Sequence, residues 1–194
     1  MKQLTLLFTL CLVLLASCRQ AEVPTQYTDS SQLPKMYPDY VDVTIPVNIA
    51  PLSMELRQQA QDVVVRYAAG GEEIVCGGKK AMPDIDDWKA LASKAAGSDI
   101  TVEVFAKNDD KWTRFKPFAI HVSKDSIDPY ISYRLIAPSY VTYEELTINQ
   151  RCLENYDESV IYNNMLLSVE TEGQCINCHN YQAYNPNRMQ FHAR

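Results

Sequence analysis

The chain has no basic run, and its 18 lysines and arginines are outnumbered by 24 aspartates and glutamates, a formal net charge of −6. The electrostatic footprint of nucleic-acid binding is therefore missing. It also has no stretch that reads as a membrane-spanning helix. The apolar run from Leu4 to Leu15 is broken by Thr5 and Thr9, and such a helix needs about 20 residues. Histidine is scarce, with three in 194 residues, so imidazole chemistry must draw on His121, His179 and His192.

What the N-terminus does carry is an export signal. Lys2 precedes the short apolar run, and Leu15-Ala16-Ser17-Cys18 follows it, the order expected of a secretory signal peptide. The same four residues resemble the bacterial lipobox, in which cleavage precedes a cysteine that then takes lipid. Residues 1–17 are thus expected to leave as a lipoprotein signal peptide, with Cys18 lipidated. Residues 18–39, rich between Thr25 and Pro38 in Ser, Pro, Asp and Tyr, read as a flexible tether lifting the domain off a bilayer.

Beyond the tether the dominant period is two. Val41, Val43 and Ile45 alternate up to Pro46, a short strand stopped by proline. Gln61–Ala69 and Glu72–Cys76 flank Gly70-Gly71, which predicts an antiparallel hairpin. Asp84–Ala96 places Ile85, Trp88, Leu91, Ala92 and Ala95 at helical spacing, with Asp84 as cap and Gly97 as stop. Ile100–Ala106, the turn Asn108-Asp109-Asp110 and Trp112–Ser123 predict a second hairpin. Tyr130–Ile136 adds a strand before Pro138. Residues 40–137 therefore read as a small, mainly β domain, an antiparallel β-sandwich with one helix. Residues 138–194 keep neither period steadily and read as an irregular segment.

That segment contains Cys175-Ile176-Asn177-Cys178-His179, the C-x-x-C-H string that attaches a c-type haem. Cys175 and Cys178 supply two thiols for the porphyrin vinyls, and His179 is placed to ligate the iron as proximal ligand. For the distal position the sequence offers His192 or Met189. These are three apart, close enough to share a face if helical, and His192 is the favoured choice. His121 reads as an exposed residue on the polar face of its strand.

Zinc bound by Cys175, Cys178, His179 and His192 is the competing use, as is a redox-active C-x-x-C pair. The adjacency of Cys178 and His179 disfavours one tetrahedral centre. Of the remaining cysteines, Cys11 leaves with the signal, while Cys76 and Cys152 read as a disulfide or as two buried thiols, the second slightly preferred. No enzyme is expected. His121, Ser123, Asp125 and Asp128 form a polar edge whose spacing implies no nucleophile–base arrangement.

Several ordered strings resemble one family: Tyr37-Pro38-Asp39-Tyr40 with Thr44–Leu52, Ile127-Asp128-Pro129-Tyr130 with Tyr133–Ile136, and Gln150–Asn155. Cys175–His179 and Met189-Gln190-Phe191-His192 complete the set. Together they are similar to the N-terminal region of bacterial lipoproteins described as Tol-B-like or cytochrome c biogenesis proteins. The resemblance implies a haem c site at Cys175, Cys178 and His179, with His192 in the family's Phe-His element. It also implies a β-propeller following the motif, so this chain is expected to be a truncated or split product.

Two functions follow as expectations. The first is a monohaem c-type cytochrome-like lipoprotein, lipid-anchored in the cell envelope to the outer membrane (periplasmic side) or the inner membrane. It would transfer electrons, with exported redox proteins and the haem-attachment machinery as partners. The second is a non-redox envelope binding module in which C-x-x-C-H is structural or vestigial.

Overall fold

A computed structural model describes residues 21–136, 146–166 and 173–194. The signal segment and Cys18 lie outside the described residues. The chain divides into two compact units, Met1–Ser126 and Ile127–Arg194, and it is mainly β with antiparallel sheets and, among the described residues, one α-helix.

In the first unit the strands are β1 (Thr28–Asp29), β2 (Met36–Tyr37), β3 (Thr44–Ile45), β4 (Met54–Leu56), β5 (Asp62–Ala69), β6 (Glu72–Gly77) and β7 (Lys80–Ala81). Helix α1 (Ile85–Lys94) follows, then β8 (Asp99–Asn108), β9 (Lys111–Arg114) and β10 (Phe118–Val122). The β5–β6 hairpin turns at Gly70-Gly71, where φ is 58° and 87°. Positive φ at both central residues matches the right-handed twist of the flanking strands, and glycine adopts it without steric cost. Asp109 and Asp110 make the equivalent turn between β8 and β9.

Strand β8 is the axis of a seven-stranded sheet. It pairs with β5 along one edge, and with β9 and then β10 along the other. The stretch Trp112–Ser123, which reads as one strand, is thus two, with Pro117 in the break where a ladder donor is missing.

One face of this sheet buries Val63, Val65, Tyr67, Ile100, Val102, Val104 and Ile120 against a second layer. That layer consists of α1 and a three-stranded sheet in the order β2-β4-β7. Asp84 caps the helix, its carboxylate accepting from the Asp86 and Asp87 amides at 2.9 and 3.4 Å. Trp88 is wholly buried, edge-on to Tyr67 at 5.7 Å, and its indole N–H donates to the Ile49 carbonyl at 3.0 Å.

The other face carries a charge ladder. Arg66 on β5 and Arg114 on β9 both donate to Glu103 on β8, at 2.6 and 2.8 Å, while Arg66 reaches Glu73 and Arg114 reaches Asp29. Glu103 is 8% exposed. Glu103→Ala leaves two guanidinium groups without their shared buried partner and is expected to cost about 1–3 kcal/mol. Glu73→Ala breaks only a surface pair and should cost less than about 1 kcal/mol. Urea unfolding midpoints of the two variants distinguish these outcomes.

Of the stretch expected to be a free tether, residues 21–29 run along this same face and its edge, while β2 joins the second layer. Tyr27 packs edge-on to Phe105 at 5.2 Å under the Arg114 guanidinium, Asp29 pairs with Arg114, and β1 runs parallel to β9. Its composition is that of a linker, but long-range partners order it. Val64 and Phe105, buried outside the main core, need a cover.

The second unit replaces the expected irregular segment with strands. They are β11 (Tyr130–Leu135), β12 (Thr147–Cys152), β13 (Glu158–Asn163), β14 (Ile176–Tyr181) and β15 (Met189–Ala193). Strand β11 pairs with β12 and β12 with β13, all antiparallel, so Tyr130–Leu135 belongs to this sheet rather than to the first. A bulge at Ile148/Asn149 breaks the period-two pattern that would have announced these strands. Glu158 accepts from the Asn149 amide at 2.7 Å. The Tyr133 hydroxyl, and after it that amide, hold the Glu158 carboxyl below its ordinary range.

Candidate functional site

The haem motif lies on a two-stranded antiparallel hairpin formed by β14 and β15. Ile176 fixes it. Its side chain is fully buried with Leu146 and Ile148, its carbonyl accepts from Arg134 at 3.1 Å, and Tyr162, Met189 and Phe191 pack around the same cluster. Cys175 and Arg194 exchange backbone hydrogen bonds at 3.0 and 3.1 Å, closing the open end of the hairpin.

Between Asn177, paired with His192, and Asn180, paired with Gln190, strand β14 has two residues where β15 has one. Those two are Cys178 and His179, and they face Phe191 alone. Cys178 takes a φ of 43°. A bulge of this kind leaves its extra residue outside the ladder and re-aims the side chains beside it, which is why bulges recur next to functional sites. The second thiol and the candidate proximal ligand are thereby released from strict strand alternation. Cys178 is exposed, while Cys175 and His179 are half-buried.

Met189 and His192 do not share a face. Three residues apart on a helix they would, but on strand β15 odd spacing sends them to opposite sides. Met189 is half-buried against Ile176 and its neighbours, whereas His192 is exposed beside Asn177. Asn177 in turn reaches back to the Cys175 sulfur at 3.8 Å, so Cys175, Asn177 and His192 lie on one side of the hairpin. This separates a packing methionine from an available histidine, a distinction that sequence spacing alone left open.

Among the described residues no three His, Cys, Asp or Glu side chains converge as a metal cluster. Cys175, Cys178, His179 and His192 are all described, so a four-ligand zinc centre would require rearranging the hairpin. Haem c makes a different demand: two free thiols at separate vinyl positions and one imidazole beside the second thiol. Cys175 and Cys178 are free thiols, and the donor set fits that group.

Cys76 and Cys152 are also free thiols. Burial, and after it the Asp87 carboxylate, pushes the Cys76 thiol up to about 11, and Cys152 is buried. In haem-free protein at mildly alkaline pH, Cys76 is expected to be alkylated more slowly than Cys178 by on the order of tenfold or more. Peptide mass spectrometry after timed iodoacetamide exposure reads the difference directly.

His121 belongs to the first unit, where its Nδ1 lies 2.7 Å from the Asp99 carboxylate. Ser123 instead engages Asp125, with the hydroxyl donating at 3.3 Å and the Asp125 amide returning a bond at 3.0 Å. The polar edge noted in the sequence is therefore two local pairs. Among the described residues no helix is long and apolar enough to cross a membrane. No protein-family model matches the chain, and no curated protein gives a significant match.

Proposed function

We propose that the protein is a lipid-anchored monohaem c-type cytochrome of the bacterial cell envelope, passing electrons between exported redox partners without transforming a substrate. The observation that carries this reading is the bulged hairpin, which presents two free thiols and the adjacent histidine over a small fixed apolar cluster. Cys175 and Cys178 would hold the porphyrin through thioethers, His179 would ligate the iron, and His192 would be the candidate second ligand. When bound, the haem supplies the one-electron couple. The polypeptide's part is to anchor, orient and partly shield that group, with Tyr162 and Phe191, 4.6 Å apart, stiffening the hairpin beneath it.

The resemblance to Tol-B-like and cytochrome c biogenesis lipoproteins supports the same reading. The mass of the mature protein, made in a host with haem-attachment machinery, tests it. Lipid on Cys18 and haem on Cys175–Cys178 add separate increments. A product lacking the haem increment would overturn the cytochrome reading.

A second reading, a non-redox envelope binding module, draws on the second unit's surface. Ile131, Leu135 and Val160 are large apolar side chains exposed on one face of the β11–β13 sheet, the kind of patch that marks an interaction surface. Partner binding unchanged in a Cys175→Ala/Cys178→Ala variant would favour it.

A further inference from the structure

We propose that Arg134 is the cation that raises the reduction potential of the haem held by Cys175 and Cys178. The inference rests on the cytochrome reading and names, for that same site, a residue that tunes it.

Strand β14 has an inner edge on β15 and an outer edge. Cys175 and Arg194 exchange both of their backbone hydrogen bonds, so strand alternation turns the carbonyl of the next residue, Ile176, to the outer edge. There it accepts from the Arg134 guanidinium at 3.1 Å. The β11–β13 sheet delivers Arg134 to this place. Arg134 pairs with Ile148 and Ile148 with Tyr162, and paired residues share a face. Ile148 and Tyr162 pack with the buried side chain of Ile176. The Tyr162 hydroxyl donates to Gln174 at 2.8 Å, so two side chains of one row grip β14, one just before the motif and one within it.

The charge on Arg134 has no counter-charge of its own. Arg57, Arg66 and Arg114 each reach a carboxylate, and Arg151 lies in the field of Glu158. Arg134 is half-buried and donates to a neutral peptide carbonyl. Among the described residues no carboxylate pairs with it. Water and salt screen a half-buried charge less than an exposed one. Arg188 and Arg194, on the hairpin itself, are exposed.

A porphyrin bonded to both sulfur atoms stays beside the two residues between them, Ile176 and Asn177, and the first of these carries the Arg134 contact. Ferric haem bears one more positive charge than ferrous haem. A fixed cation beside the attachment segment opposes that extra charge and moves the potential up, through charge placement rather than through the axial ligands.

Potentiometric titration of the full chain, purified from a host that attaches haem c and followed by visible absorption, tests the proposal. Arg134→Gln keeps an N–H donor and removes the charge, whereas Arg134→Lys keeps the charge. At a fixed potential the glutamine variant is expected to shift the oxidised-to-reduced ratio at least about threefold toward the oxidised form, about 30 mV for a one-electron couple. The lysine variant should shift it by less than half as much. Ser132→Glu adds a carboxylate two residues away on the same strand face, leaves Arg134 in place, and should lower the potential too. An unchanged potential in Arg134→Gln, or in Ser132→Glu where the glutamine variant holds no haem, would overturn the proposal. So would an equal fall in the glutamine and lysine variants. A wild-type chain without covalent haem would overturn the cytochrome reading and this inference with it.

Discussion

Replacing Cys175 and Cys178 together with alanine is expected to abolish covalent haem while leaving both units folded. The thioethers need the two sulfur atoms, and no other residue of the hairpin offers a thiol. The structural cost is small because the hairpin is not held by these side chains. Cys178 is exposed, and the Cys175 sulfur takes a 3.8 Å contact from Asn177. Ile176, the residue that does fix the strand, is untouched. A loss of stability under about 1 kcal/mol is expected, as for substitutions away from buried features. Haem staining after denaturation and a urea titration of the same variant separate the two effects. A variant that loses its fold along with its colour would show that the cysteines act structurally.

Trp88→Ala carries the largest expected cost in stability, about 3–5 kcal/mol. The side chain is wholly buried at the junction of α1 with the seven-stranded sheet, edge-on to Tyr67. Its removal opens a cavity between two layers that meet through few other residues of comparable size. It also strips the Ile49 carbonyl of its indole donor, an additional penalty because a buried acceptor is left unpaired. Folded domains are stable by only about 5–15 kcal/mol, so this substitution should bring the first unit near its unfolding threshold. Chemical denaturation followed by tyrosine fluorescence measures the change. A loss below about 1 kcal/mol would mean that the helix is not integral to the core.

The parts of the fold legible in the sequence are those where local rules and tertiary packing agree. Gly70-Gly71 announces its hairpin, Asp84 and Gly97 bracket the helix, and Val102, Val104 and Ala106 alternate as a half-buried strand must. The order of the N-terminal segment was hidden because it comes from Arg114, 85 residues from Asp29, rather than from the segment's own polar composition. The β14–β15 hairpin was hidden for another reason. Of the motif's five residues only Ile176 is buried, and the bulge at Cys178–His179 removes the alternation that remains.

The motif was plain in the sequence, and the side on which its neighbours lie was not. Placing Met189 and His192 required knowing whether their segment was helix or strand. With strand established, the half-buried methionine and the exposed histidine fall on opposite faces. Cys76, half-buried, and Cys152, buried, are free thiols.

Covalent haem on Cys175 and Cys178 is read from the visible absorption of the full chain, purified from a host that attaches haem c, after denaturation and removal of non-covalent pigment. The expected result is a haem spectrum that stays with the polypeptide, with Cys175 and Cys178 unreactive to alkylation and Cys76 and Cys152 modified once unfolded. A colourless polypeptide with all four thiols titratable would contradict it.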